Sequence, residues 1–190
     1  MQALCRQASK LTLVLALCAA LAPAALADSF RVQGMTTQRT QGVYYLNADL
    51  GLKLNRQARE ALSHGVALTF VVNIKVERKR GWWIWDKTVA ALTERYRLSY
   101  RPLAERYRLD NLNSGANEEY PTRQAALSAI SHIRKLPVID ATLLDAHARY
   151  YVLLRVVLDT HDLPGPLKLL AAILPGWRQA SGWRRTRLMP

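Results

Sequence analysis

Alternation of apolar and polar residues over a dozen positions is the feature that most limits the fold of this chain. In VYYLNADLGLKLN (43–55) the apolar side chains fall largely on even positions, and VALTFVVNIKVERK (66–79) follows the same rule. AHARYYVLLRVVLD (146–159) alternates in the same way, with Arg149 and Arg155 on the polar side. Because successive side chains of a β-strand point to opposite faces, this period of two predicts three long strands, each with one buried face.

Two short segments have a helical pattern instead. NRQAREALSHG (55–65) predicts a two-turn helix, because Asn55 can cap its first turn and a glycine ends it. PTRQAALSAISHIRKLP (121–137) predicts a longer helix, which is capped by Thr122 and ended by Pro137.

A short internal echo predicts a hairpin. The segment ERYRL occurs at 94–98 and again at 105–109. A turn at Arg101-Pro102 would place Tyr96 opposite Tyr107, which is a favourable cross-strand pair. The same register would also set arginines opposite one another. We therefore expect an intervening acid, a bound anion, a bulge or a solvated arginine face.

The remaining signals complete the fold class. FRVQGMTTQ (30–38) is a weaker strand, and Gln41-Gly42 is a turn signal that follows it. About six long antiparallel strands with two or three short helices predict a mainly β chain, folded as an antiparallel β-sandwich with an immunoglobulin-like arrangement as one option. The alternative is an α+β fold, with the helices packed on one face of a sheet.

The first 27 residues are typical of a secretion signal. Arg6 and Lys10 precede an apolar stretch, and Ala25-Leu26-Ala27 forms a small-residue cleavage site. We therefore expect export by the general secretion route, with an uncleaved N-terminal anchor as the alternative. Residues 28–190 would then form a single β-rich domain that ends in an apolar and basic segment at about 163–190.

Charge and cysteine content limit the partners. The chain has 27 basic and 14 acidic residues, and both cysteines, Cys5 and Cys18, lie in the signal. The exported part would thus contain no disulfide and no thiolate metal site. Behind a secretion signal we expect an acidic protein or anionic lipid as partner rather than nucleic acid. Alternatively, the charge is spread evenly and serves only solubility.

All five tryptophans lie in two clusters that also contain cations. Indole rings beside cations suit the membrane interface or a protein interface, whereas packing in the core is the alternative. The apolar run PLKLLAAIL (166–174) is too short to span a bilayer. The candidate contact residues are Arg78, Lys79, Arg80, Trp82, Trp83, Trp85, Leu167, Leu170, Trp177, Trp183, Arg184 and Arg185.

No catalytic, metal or cofactor site is predicted. Asp145 with His147, and Asp159 with His161, each place an acid and a histidine two residues apart in a predicted strand. The two pairs are too far apart along that strand to share one ion, and no hydrolase, zinc-protease or phosphate-loop motif is present. A hydrolase or metal enzyme is the alternative, and it would depend on one of these histidines.

Several blocks in order resemble the domain of unknown function 4390 family of exported proteobacterial proteins. These blocks are YYLNADLGLKLN, EALSHGVALTF, VERKRGWWIWD, YRLSYRPLAERYRL, YYVLLRVVLD and LPGPLK with the closing SGW. The resemblance implies a periplasmic or envelope location and genes beside a nitrogen-regulation-type membrane sensor kinase, but no functional residues. We therefore expect a non-catalytic periplasmic interaction domain, accessory to such a kinase. The alternative is a peripheral membrane protein held by its tryptophans and arginines.

Overall fold

The computed structural model describes residues 30–80, 86–160, 165 and 177–188. Within them are nine strands, two α-helices and one 3-10 turn. In chain order these are β1 (Phe30–Thr40), β2 (Val43–Leu52), α1 (Arg56–Ser63), β3 (Leu68–Arg78), β4 (Lys87–Arg101), β5 (Arg106–Asn111), β6 (Asn117–Tyr120), α2 (Arg123–Ser131), β7 (His132–Asp140), the 3-10 turn (Ala141–Leu143), β8 (Tyr150–Asp159) and β9 (Arg184–Arg187).

The strands form two antiparallel sheets. One sheet has the order β1-β2-β7, and the other has the order β6-β5-β4-β3-β8-β9. The predicted mainly β chain with two sheets and short helices is confirmed, and the α+β alternative is not needed. The strand order is not that of an immunoglobulin domain, because four consecutive strands, β3 to β6, lie side by side in one sheet.

The apolar positions of the predicted alternating strands form the hydrophobic core. On β3 the side chains of Phe70, Val72, Ile74 and Val76 are fully buried, while the residues between them are partly exposed. The even positions of β8 are buried in the same way, as are those of β2 from Tyr44 to Leu50. Phe30 of β1 meets Phe70 across the two sheets, with ring centroids 5.8 Å apart. The core therefore lies between the sheets.

Local turn and cap signals were predicted correctly at two places. Gln41 and Gly42 both have positive φ, 50° and 83°, and join β1 to β2 as a two-residue turn suited to strand twist. Asn55 caps α1, since its side-chain oxygen accepts a hydrogen bond of 2.9 Å from the backbone N–H of Ala58.

The second helix is shorter than predicted. Thr122 caps it as expected, but it ends at Ser131, and residues 132–140 form β7 instead of its last turns. Pairing with β2 explains the difference, because β7 places Ile133 opposite Ala48. Tertiary pairing here overrides a pattern that fits either structure.

The predicted register of the ERYRL hairpin is wrong. Tyr100, not Tyr96, pairs with Tyr107, and their ring centroids lie 4.9 Å apart. The cause is a longer turn, in which Glu105 adopts a left-handed conformation with φ of 51°. The shift places Arg97 opposite Asp110, so an acid does intervene on the arginine face.

The C-terminal residues lie against the free edge of β8. The backbone N–H of Leu158 donates to the carbonyl of Gln179, and the N–H of Ser181 donates to the carbonyl of Val156, each at 2.8 Å. Strand β9 then pairs with β8 from Tyr151 to Leu154. Residues 1–29 and most of 161–176 lie outside the described residues, so the predicted signal and apolar run remain predictions.

Candidate functional site

Strands β3, β8 and β9 bring the two predicted basic clusters together at one end of the six-stranded sheet. Arg78 pairs with Tyr150, and Tyr151 pairs with Arg187. Just beyond β3, the backbone N–H of Lys79 donates to the carbonyl of Arg149 at 2.8 Å. Segments about a hundred residues apart in sequence thus form one surface. We define the basic face by its members Lys75, Lys79, Arg149, Tyr151, Trp183 and Arg185.

Tyr151 is the centre of the basic face. The guanidinium of Arg185 lies over its ring, 3.6 Å from the centroid. A hydrogen bond from Arg185 lowers the pKa of the Tyr151 phenol below its ordinary value, and the nearby charges of Arg185, Lys79 and Arg149 act in the same direction. The cations of the basic face therefore produce a positive potential at Tyr151 that stabilises the charged form of its phenol relative to a free tyrosine.

Trp183 extends the basic face along the sheet. Its side chain is 41% exposed, and the ammonium of Lys75 lies 5.0 Å from its ring centroid. Lys75 and Arg185 lie on either side of Leu153 in the register of the three strands. A cation against an indole makes a contact surface that is both apolar and positive.

The acids near the basic face are fewer than its cations. Glu77 lies opposite Tyr151 in the register and between Lys75 and Lys79 on the same face of β3. Asp86 is 3.8 Å from Arg185 and accepts a hydrogen bond from the backbone N–H of Arg80. Asp145 pairs with Arg78 at 2.8 Å. Within the described part of the chain, Lys79 and Arg149 have no carboxylate partner. The basic face is thus under-neutralised, which suits an acidic ligand.

The predicted contact residues fall into three groups. Arg78, Lys79, Arg80, Trp183, Arg184 and Arg185 lie at the end of β3 or at the start of β9. Trp177 is 5% exposed and belongs to the core, so its assignment to a surface contact needs correction. Trp82, Trp83, Trp85, Leu167 and Leu170 lie outside the described residues, so their roles stay predictions.

Tyr151, Arg149 and Lys75 were not predicted as contact residues. The signal was present, because all three occupy the odd, outward positions of the alternating stretches. The sequence alone does not show which outward positions of β3 and β8 are neighbours, since that depends on strand order.

The first of the two predicted acid–histidine pairs does not lie in a strand. Asp145 and His147 lie in a turn before β8, where the backbone N–H of His147 donates to Asp145 at 2.9 Å. His161 is outside the described residues. Among the residues that the structure describes, no group of three His, Asp or Glu side chains is placed to hold a metal ion. Every helix in the same part of the chain is too short or too polar to cross a lipid bilayer.

The electrostatics of the basic face predict the order in which tyrosines titrate. We expect Tyr151 to ionise early, whereas Tyr120 should ionise late because its hydrogen bond to Glu118 raises its pKa to about 12. Ultraviolet absorbance of phenolate during an alkaline titration measures both. Tyr151→Phe should remove the earliest component, and the control Tyr120→Phe should remove the latest. An unchanged early component in Tyr151→Phe would contradict the described geometry.

Comparison with known proteins gives one match. A family model described as a domain of unknown function, DUF4390, matches residues 27–187. No curated protein and no solved structure matches the chain. Because the match covers nearly all of the described sheets, including the basic face, the chain belongs to the DUF4390 family.

Proposed function

We propose that this chain is a non-catalytic, exported interaction domain of the cell envelope whose basic face binds an acidic surface of a protein partner. The observation that carries the proposal is the convergence of two sequence-distant cationic segments, at the end of β3 and in β9, around Tyr151. The extracytoplasmic part of a membrane sensor kinase is our candidate partner, on the basis of the family resemblance.

The composition of the basic face supports a protein partner. Tryptophan, tyrosine and arginine are the residues that dominate binding energy at protein interfaces. Here Tyr151 and Arg185 lie on paired strands and Trp183 directly precedes β9, so little conformational freedom would be lost on binding. The excess of cations selects an acidic surface and speeds encounter with it.

Site-specific photo-crosslinking in cells would test whether the basic face is a contact surface. A photoreactive amino acid at Trp183 should give an adduct with a defined protein, which mass spectrometry identifies. The control position is Gln33, which is exposed on β1 in the other sheet. Adducts of equal yield at both positions, or none at Trp183, would count against the proposal.

Charge reversal gives a direct binding test with the purified extracytoplasmic part of the kinase. We expect Arg185→Glu to weaken binding at least about tenfold, because it places a negative charge beside Tyr151 and Asp86. Arg56→Glu, exposed on α1, is the matched control and should bind like the wild type. Equal affinity of both variants, or no binding by the wild type, would contradict the proposed function with this partner.

A second candidate is peripheral binding to anionic lipid. The exposed indole of Trp183 beside Lys75 favours it, since such pairs suit the membrane interface. The protein should then float with anionic vesicles at low salt and be released at high salt, while Trp183→Ala should float less. A wild-type protein that stays in solution at low salt would eliminate this candidate.

A further inference from the structure

A cavity of about 320 Å³ lies beside the basic face, between the ends of the two sheets. Arg39 at the end of β1 and Tyr44 of β2 line one side. The other side is lined by Arg149 in the turn before β8, Tyr150 at the start of β8 and Arg187 at the end of β9. The side chain of Thr37 donates to the carbonyl of Arg187 at 3.0 Å, so the two sheets are joined at this point.

The arginines of the cavity outnumber the acids near them. Asp145 also lines the cavity, but it is paired with Arg78 and accepts the backbone N–H of His147. Asp140 partly offsets the charge of Arg39, and its side chain also accepts two hydrogen bonds from Thr142. In the described ranges, none of Arg39, Arg149 and Arg187 forms an ion pair with a carboxylate.

The cavity also offers a neutral donor and an apolar wall. The hydroxyl of Tyr150 accepts a hydrogen bond from the backbone N–H of Asp145 at 3.0 Å, which leaves its own proton able to donate. Tyr44, Tyr150 and Leu188 are buried and supply apolar surface on one side of the cavity, whereas its arginines are exposed to solvent.

We propose that this cavity binds a phosphate group through the guanidinium groups of Arg39, Arg149 and Arg187. Arg39, Arg149 and Arg187 outnumber the two nearby acids, Asp140 and Asp145, so a further anion is favourable here. Guanidinium groups match the oxygens of phosphate in pairs. A dianionic phosphate balances three cations better than a single carboxylate does. The volume is at the lower end of about 300–1,000 Å³ for small-molecule sites, so the phosphate group can carry a small organic substituent.

This inference goes beyond the proposed function, because it requires Arg39 of β1, which is not part of the basic face. Inorganic phosphate, a free phosphate ester and a phospholipid headgroup would present the same chemistry. The test therefore uses inorganic phosphate and, separately, phosphatidylglycerol vesicles, with chloride at equal ionic strength as the reference. Titration calorimetry measures the first, and flotation measures the second.

We expect inorganic phosphate to bind the wild type, and we expect Arg39→Gln and Arg149→Gln each to weaken binding about tenfold. The matched control, Arg56→Gln on α1, should leave phosphate affinity unchanged. Arg39→Lys keeps the charge but loses the paired donors, so we expect an intermediate affinity. Circular dichroism of each variant shows whether the sheets remain folded, and the Arg39 variants remain informative if one at Arg149 does not fold.

The outcomes separate this proposal from the proposed function. Arg185→Glu should lose the protein partner and still bind phosphate, whereas Arg39→Gln should lose phosphate alone. Vesicle binding that also requires Arg39 would identify the lipid headgroup as the source of the phosphate. Vesicle binding independent of Arg39, together with calorimetric binding, would identify a free phosphate. The absence of calorimetric binding, or equal affinity in Arg39→Gln and the wild type, would overturn the proposal.

Discussion

Replacing Phe70 with alanine is expected to lower the free energy of unfolding by about 3–5 kcal/mol. Phe70 is 0% exposed and lies on β3, the strand between β4 and β8 in the six-stranded sheet. Its ring meets Phe30 of the other sheet. Removing the ring leaves a cavity between the sheets, because neighbours fixed in paired strands relax only partly. Urea denaturation followed by circular dichroism measures the loss.

The matched control is Val71→Ala on the opposite face of the same strand. Val71 is partly exposed, so its truncation should cost about 1 kcal/mol or less. Phe70→Leu keeps most of the buried volume and serves as the milder variant if Phe70→Ala does not fold. Equal losses at Phe70 and Val71 would show that the two faces of β3 are not buried as described.

This contrast between faces could be predicted from the sequence, because period two is a local property of the chain. The pairing registers of the strands could not be predicted in this way, since they depend on turn geometry and on which strands are partners. The turn over residues 102–105, in which Glu105 is left-handed, pairs Tyr107 with Tyr100 and not with Tyr96. Residues 132–137 fit the end of the predicted helix, but hydrogen-bond partners on β2 make them part of a strand.

The candidate site was predictable only in pieces. The cations at 78–80 and at 184–185 were identified from their positions beside tryptophans. Their convergence needs β3, β8 and β9 to be neighbours, which no local pattern encodes. The same is true of the cavity, because Arg39 lies on β1, whereas Arg149 lies in the turn before β8 of the other sheet, more than a hundred residues away.

Trp177→Ala is expected to lower the free energy of unfolding by about 3–5 kcal/mol, although Trp177 was predicted as a surface contact. The residue is 5% exposed and packs in the core. It lines a shallow cavity with Ala61 and Val66, which lie at the end of α1 and just beyond it. Two residues later, the carbonyl and side chain of Gln179 accept hydrogen bonds from the backbones of Leu158 and Asn55. Trp177 thus holds the C-terminal residues against β8 and α1.

Trp183→Ala is the matched control, because it removes the same ring from a site that is 41% exposed. We expect it to cost about 1 kcal/mol, which is the value of a cation–π contact at an exposed site. A large loss of unfolding free energy in Trp177→Ala and a small one in Trp183→Ala would show that Trp177 stabilises the fold. Trp183 would then be the C-terminal tryptophan that remains available to a partner. Equal small losses would mean that Trp177 is not packed in the core, and it would then return to the set of contact residues.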